Sequence, residues 1–131
     1  MSTQFRLERL LIVEDQQLVR AGIKAMLRMA LPNCEVVEAG SFEEATAQLK
    51  LQPFDFAFLD IDLRAEKSGL DLLDFIQRHD LYCRVVMLSG KDDRETVLAC
   101  INAGACGYIA KGVGDESVFE AALATVLGGG I

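Results

Sequence analysis

Five short apolar runs, each followed by a stretch with helical spacing, constrain this chain more than any other feature. The runs cover residues 10–13, 35–39, 54–59, 85–88 and 107–110. None alternates strictly between apolar and polar, which marks strands buried on both faces of a parallel sheet. The first helical stretch spans about 17–29, with Leu18, Ile23, Met26 and Leu27 at helical spacing and Pro32-Asn33 as its stop. The second opens at Ser41 with Glu44 three residues on, and the third near Ser68 with Asp71 three residues on. The Ser41–Glu44 spacing is a capping-box pattern. The fourth spans about 93–103, with Val97, Leu98 and Ile101 expected to turn inward. The fifth spans about 115–127 and stops at Gly128-Gly129-Gly130. Five strands alternating with five helices predict an α/β domain with a doubly wound, five-stranded parallel sheet.

In such a sheet, ligands bind beyond the carboxyl ends of the strands. Asp15, Asp60, Ser89 and Lys111 each fall at or just past the end of a different run, so one rim is expected to gather them. Glu14 and Asp15 close the first run and Asp60 closes the third. Side by side, these two strands bring three carboxylates together. Like charges about 4 Å apart repel by roughly 4 kcal/mol at an effective dielectric near 20. A hard divalent cation relieves that repulsion, and Mg²⁺ characteristically takes one or two carboxylates plus a phosphate. The pattern therefore points to metal-assisted phosphoryl chemistry.

Bulk properties narrow the alternatives. The chain has 131 residues, 51% of them apolar, enough for one packed core. A net charge of −7 argues against nucleic-acid contact by this segment, which would need a basic face. No apolar run approaches the 18 or so residues of a membrane span, and residues 1–6 lack the apolar region of a signal peptide. Cys34, Cys83, Cys100 and Cys106 show no paired spacing and read as reduced, mostly buried thiols of a cytoplasmic protein. A zinc site is disfavoured because His79 is the only histidine. With Arg78, His79 is expected to cap the negative end of the third helix. The methionines and most phenylalanines are assigned to the core.

Four motifs then carry a resemblance. They are Leu11-Ile12-Val13-Glu14-Asp15, Phe58-Leu59-Asp60-Ile61-Asp62, Val86-Met87-Leu88-Ser89-Gly90 and Gly104-Ala105-Cys106-Gly107-Tyr108-Ile109-Ala110-Lys111. Over essentially its whole length the chain resembles the receiver domain of a two-component response regulator. Gly112 after Lys111, where many receivers have Pro, makes it most similar to the NarL/FixJ (LuxR-type) subfamily. The resemblance implies the flavodoxin-like (βα)₅ receiver fold with strand order 2-1-3-4-5. It implies a signalling switch, not an enzyme, which takes a phosphoryl group from a sensor histidine kinase.

Residue by residue, the resemblance makes Asp60 the phosphoacceptor. Asp15 becomes the direct Mg²⁺ ligand, Glu14 a ligand acting largely through water, and Asp62 a ligand through its backbone carbonyl. Ser89 becomes the hydroxyl that moves to the phosphoryl oxygens, Lys111 the cation paired with acceptor and phosphate, and Tyr108 the aromatic that follows activation. These roles suit the chemistry. A carboxylate attacking phosphorus needs its own charge and the incoming charge offset, and the rest is positioning. The added group brings about −1.5 to −2 of charge, which Ser89 reaches only if its loop shifts. Asp62 and Lys91 carry opposite charges and are expected to pair across the mouth of the site.

Three departures stand out. Arg64 occupies the place where most receivers have Pro, the loop over 63–69 is one residue longer than usual, and Glu14 replaces a more frequent Asp. Without a proline's fixed φ, this loop is expected to be more mobile. The resemblance further implies self-association on phosphorylation and control of transcription. Residues 1–131 are expected to form the receiver, with DNA contact left to a helix-turn-helix domain beyond the linker-like Gly128-Gly129-Gly130-Ile131. Two other classes remain open: a phosphorylation-independent binding module, and an aspartyl-phosphate phosphatase. No segment suited to enclosing a substrate supports the last.

Overall fold

The computed structural model describes residues 9–61, 63, 68–89 and 94–110. The strands are β1 (Arg9–Val13), β2 (Glu35–Ala39), β3 (Phe56–Asp60), β4 (Arg84–Ser89) and β5 (Gly107–Ala110). Between them run α1 (Gln17–Ala30), α2 (Phe42–Leu51), α3 (Gly69–Arg78) and α4 (Arg94–Asn102). The fifth helix expected over 115–127 lies outside the described residues, as do Asp62, Lys91 and Lys111.

All strand pairs are parallel, in the order β2-β1-β3-β4-β5. This is the order that the resemblance implied. The side-chain period of 2 sorts the strands onto two faces. Leu10, Ile12, Phe56, Phe58, Val86, Leu88 and Ile109 pack with Ile23 and Leu27 of α1. The alternate residues Leu11, Val13, Ala57, Leu59, Val85 and Met87 pack with Ala45 and Leu49 of α2, Leu72, Leu73 and Ile76 of α3, and Cys100 of α4. β3 is central and buried throughout, which fits its unbroken Phe-Ala-Phe-Leu run. Each fully buried leucine or phenylalanine contributes about 1.5–3 kcal/mol.

The starts of α2 and α3 differ, and only α3 closes a reciprocal capping box. At α3, Ser68 Oγ accepts from the Asp71 N–H, and the Asp71 carboxylate accepts from the Ser68 N–H at 2.6 Å. At α2, Ser41 Oγ accepts from the Glu44 N–H at 3.1 Å, but the Glu44 carboxylate takes the N–H of Gly40 instead. α3 ends at His79, whose Nδ1 lies 3.0 Å from the Phe75 carbonyl, so the expected cap is present.

Three expectations need correction. Leu98 and Ile101 of α4 are each 48% exposed, and Cys100 is the side chain that α4 buries. The inward stripe of α4 runs through Cys100 because a small, weakly polar thiol packs as a core residue. Only Cys100 of the four free thiols is fully buried, and Cys106 is exposed. Met29 is exposed and Met87 buried, so methionine content alone does not mark the core.

Candidate functional site

The ladder places the site. β1 pairs with β3 through Val13↔Leu59, so Glu14 and Asp60, one residue further along each strand, face each other across the sheet. Asp60 is the last residue of β3 and pairs with Leu88, next to Ser89 at the end of β4. Beyond the strands the pairing persists: the Glu14 N–H donates to the Ala39 carbonyl at 3.1 Å, and the Ile61 N–H to the Leu88 carbonyl at 3.0 Å. The rim is therefore fixed by backbone on both sides of the acid pair.

Glu14 and Asp60 are 0% and 2% exposed, Ser89 5%, while Asp15 is half-buried. Glu14, Asp15 and Asp60 each offer one carboxylate oxygen, and these oxygens lie within 4.8 Å of one another. The donor set is all oxygen and strongly anionic, which suits a hard cation. Among the described residues, no buried side-chain N or O atom lacks a hydrogen-bond partner. One Glu14 carboxylate oxygen accepts from the Gln16 N–H at 3.1 Å, so this buried acid also shapes the turn into α1. Tyr108 is half-buried and pairs with Met87 on the helix α2–α4 side of the sheet. Lys111 and the Asp62 carbonyl fall outside the described residues, as does the Asp62–Lys91 pair.

Two residues escaped the sequence analysis. Gly69 opens α3 and is buried; its N–H donates to the Ile61 carbonyl at 2.9 Å. A Cβ on it would overlap the Asp60 carbonyl oxygen and lie 2.9 Å from the Asp60 carbonyl carbon. The only sequence signal was a glycine directly after a helix-capping serine. Arg20, in α1, donates from Nη1 to the Glu14 carbonyl at 2.7 Å and from Nε to Glu38 at 3.0 Å. Its signal was a cation five residues past the acidic pair. Lys24 bonds the other oxygen of Glu38 at 2.9 Å. Chiefly that bond, joined by Arg20's, holds the Glu38 carboxyl below its ordinary range against the opposing effect of burial.

Residues 10–123 match the family described as the response regulator receiver domain. The chain belongs to that family. This receiver domain is 34% identical over 112 residues to the nitrate/nitrite response regulator protein NarP of Escherichia coli, covering 85% of the chain and 51% of the relative. It is 33% identical over 122 residues to the transcriptional regulatory protein DegU of Brevibacillus brevis, covering 92% and 50%. Among solved structures, a CheY-like response regulator receiver domain protein from Methanospirillum hungatei superposes with a TM-score of 0.76 at 27% identity, covering 94% of this chain and 96% of that one. The chain spans about half the length of the curated relatives it matches. Among the described residues, no helix is long and apolar enough to cross a membrane.

Proposed function

We propose that this receiver domain is a phosphorylation-dependent switch that accepts a phosphoryl group on Asp60. The observation that carries this reading is the Glu14–Asp15–Asp60 cluster, with oxygens within 4.8 Å of one another at the rim of a sheet. An Asp60 oxygen attacks phosphorus; the new O–P bond forms as the bond to the donor breaks, and its electron pair leaves on the donor. With a phosphohistidine of a sensor kinase as donor, the departing group is the imidazole. Asp15 and Asp60 would hold Mg²⁺ directly, Glu14 largely through water, and Asp62 through its carbonyl. When bound, Mg²⁺ supplies the positive charge that offsets the carboxylates and the phosphoryl oxygens.

The remaining residues act around that centre. Near-complete burial strengthens each charge interaction Asp60 makes. Ser89, one residue past Asp60's partner on β4, would bond the phosphoryl oxygens, with Lys111 as the second cation. Tyr108 would report the change on β5. The output follows from the relatives, which are named as response and transcriptional regulators. For the whole protein we propose control of transcription as the output, with self-association on the face formed by α4, β5 and the helix expected over 115–127. A cytoplasmic location follows from that role.

The test is uptake of phosphoryl from acetyl phosphate with Mg²⁺, read by intact mass. The chain should gain one phosphoryl group, and Asp60→Asn should abolish the gain. Label retained in Asp60→Asn would overturn the assignment. No uptake by the wild type would favour the phosphorylation-independent binding module. Steady turnover of a phosphomonoester would favour a phosphatase.

A further inference from the structure

The acidic turn between β1 and α1 is held by more than its own residues. Glu14 is fixed at three points. Its N–H bonds the Ala39 carbonyl, its side chain accepts from the Gln16 N–H, and its carbonyl accepts from Arg20 Nη1. The last contact sets the plane of the peptide that joins Glu14 to Asp15, and so the direction in which the Asp15 side chain leaves the backbone. At 2.7 Å it is the shortest of the three.

Arg20 is itself held. Its N–H donates to the Gln16 carbonyl at 2.9 Å, within the first turn of α1. Its Nε is bound to Glu38, whose second oxygen is taken by Lys24. The end of β2 leaves room for it: a Cβ on Gly40 would lie only 3.1 Å from Nη1. The Arg20 side chain is 17% exposed, so this geometry is largely shielded from solvent. A planar guanidinium can meet two acceptors in a fixed fork, which an ammonium cannot.

We propose that Arg20 is a positioning residue for the metal site, holding the Glu14–Asp15 peptide in the orientation that lets the three carboxylates converge on one cation. The inference rests on the metal reading of the cluster. Its bland alternative is a salt bridge that merely ties α1 to β2, and the sign of the effect on Mg²⁺ separates the two. By charge alone, removing a cation beside an acidic site tightens Mg²⁺ binding. Loss of positioning weakens it, as removal of a ligand's hydrogen-bond partner characteristically does by about 10–100-fold.

The experiment is calorimetric titration of Mg²⁺, since the chain contains no tryptophan to report binding. It compares wild type with Arg20→Ala and Arg20→Lys, each with its melting temperature in Mg²⁺-free buffer. Arg20→Ala should raise the Kd about tenfold or more. Arg20→Lys, with the charge but not the fork, should also bind more weakly than wild type. In phosphorylation by acetyl phosphate, the half-saturating Mg²⁺ concentration should rise while the rate at saturating Mg²⁺ recovers. Unchanged or tighter binding in folded Arg20→Ala would overturn the inference. If that variant does not fold, Arg20→Lys, which keeps the charge, decides: binding as tight as wild type overturns the inference. Wild type that binds no Mg²⁺ would overturn the metal reading and this inference with it, whereas equal binding by wild type and variant overturns this inference alone.

Discussion

At Gly69, a single hydrogen atom in place of a methyl group lets α3 begin against the backbone at the end of β3. The atoms a Cβ would meet there are main chain of Asp60 and Ile61, within 3.0 Å, and main chain inside a hydrogen-bonded ladder cannot yield as a flexible side chain can. Gly69→Ala should therefore cost about 1–3 kcal/mol, as overpacking does, read by urea unfolding. Because the overlap falls on Asp60, the same variant should take up phosphoryl from acetyl phosphate more slowly. Wild-type stability and rate together would show that the corner has slack. Asp60 itself was legible in the sequence, because a carboxylate that ends an apolar run can only sit at a sheet rim. Gly69 and Arg20 were not. One acts by what it lacks, and the other bonds a main-chain carbonyl, which leaves no trace in residue type.

The elements were legible where a local chemical signal coincided with the period. Ser68 and Asp71 announced α3, and the reciprocal bonds of its capping box form. At α4 the period alone was available, and it misled: Leu98 and Ile101 face outward while Cys100 is buried. The far end of α3 carries a feature that the pattern did not flag. Asp80 has φ of 53°, and the bonds Leu81 N–H to Ile76 carbonyl and Asp80 N–H to Gln77 carbonyl close a Schellman turn. Glycine is the residue suited to that position, since any Cβ there crowds the backbone. Asp80→Gly should stabilise the fold by about 0.5–1 kcal/mol, measured by chemical denaturation. A loss would mean that the Asp80 side chain makes a compensating bond in the turn.

Across the whole molecule, two apolar clusters on opposite faces of one sheet make the rim rigid, and that rigidity is what allows three carboxylates to be held together. Left to themselves they would spread apart. A pair of like charges 4.8 Å apart, the limit of this cluster, repels by roughly 3.5 kcal/mol at an effective dielectric of 20 before screening. Folding supplies the force that opposes this, so the site is a local cost drawn from the stability of the core. Neutralising one member should return part of it. In Mg²⁺-free buffer, Asp15→Asn is expected to be more stable than wild type by about 1 kcal/mol, since one carboxylate then no longer repels the other two. Addition of Mg²⁺ should reverse the order. A ligand that binds only the folded state stabilises by RT ln(1 + [L]/Kd), about 2.7 kcal/mol at a hundredfold excess over Kd, and Asp15→Asn should lose most of that gain. Melting curves of both proteins with and without Mg²⁺ make the comparison. A variant less stable than wild type in the absence of metal would mean that Asp15 contributes more through its local bonds than it costs through its charge.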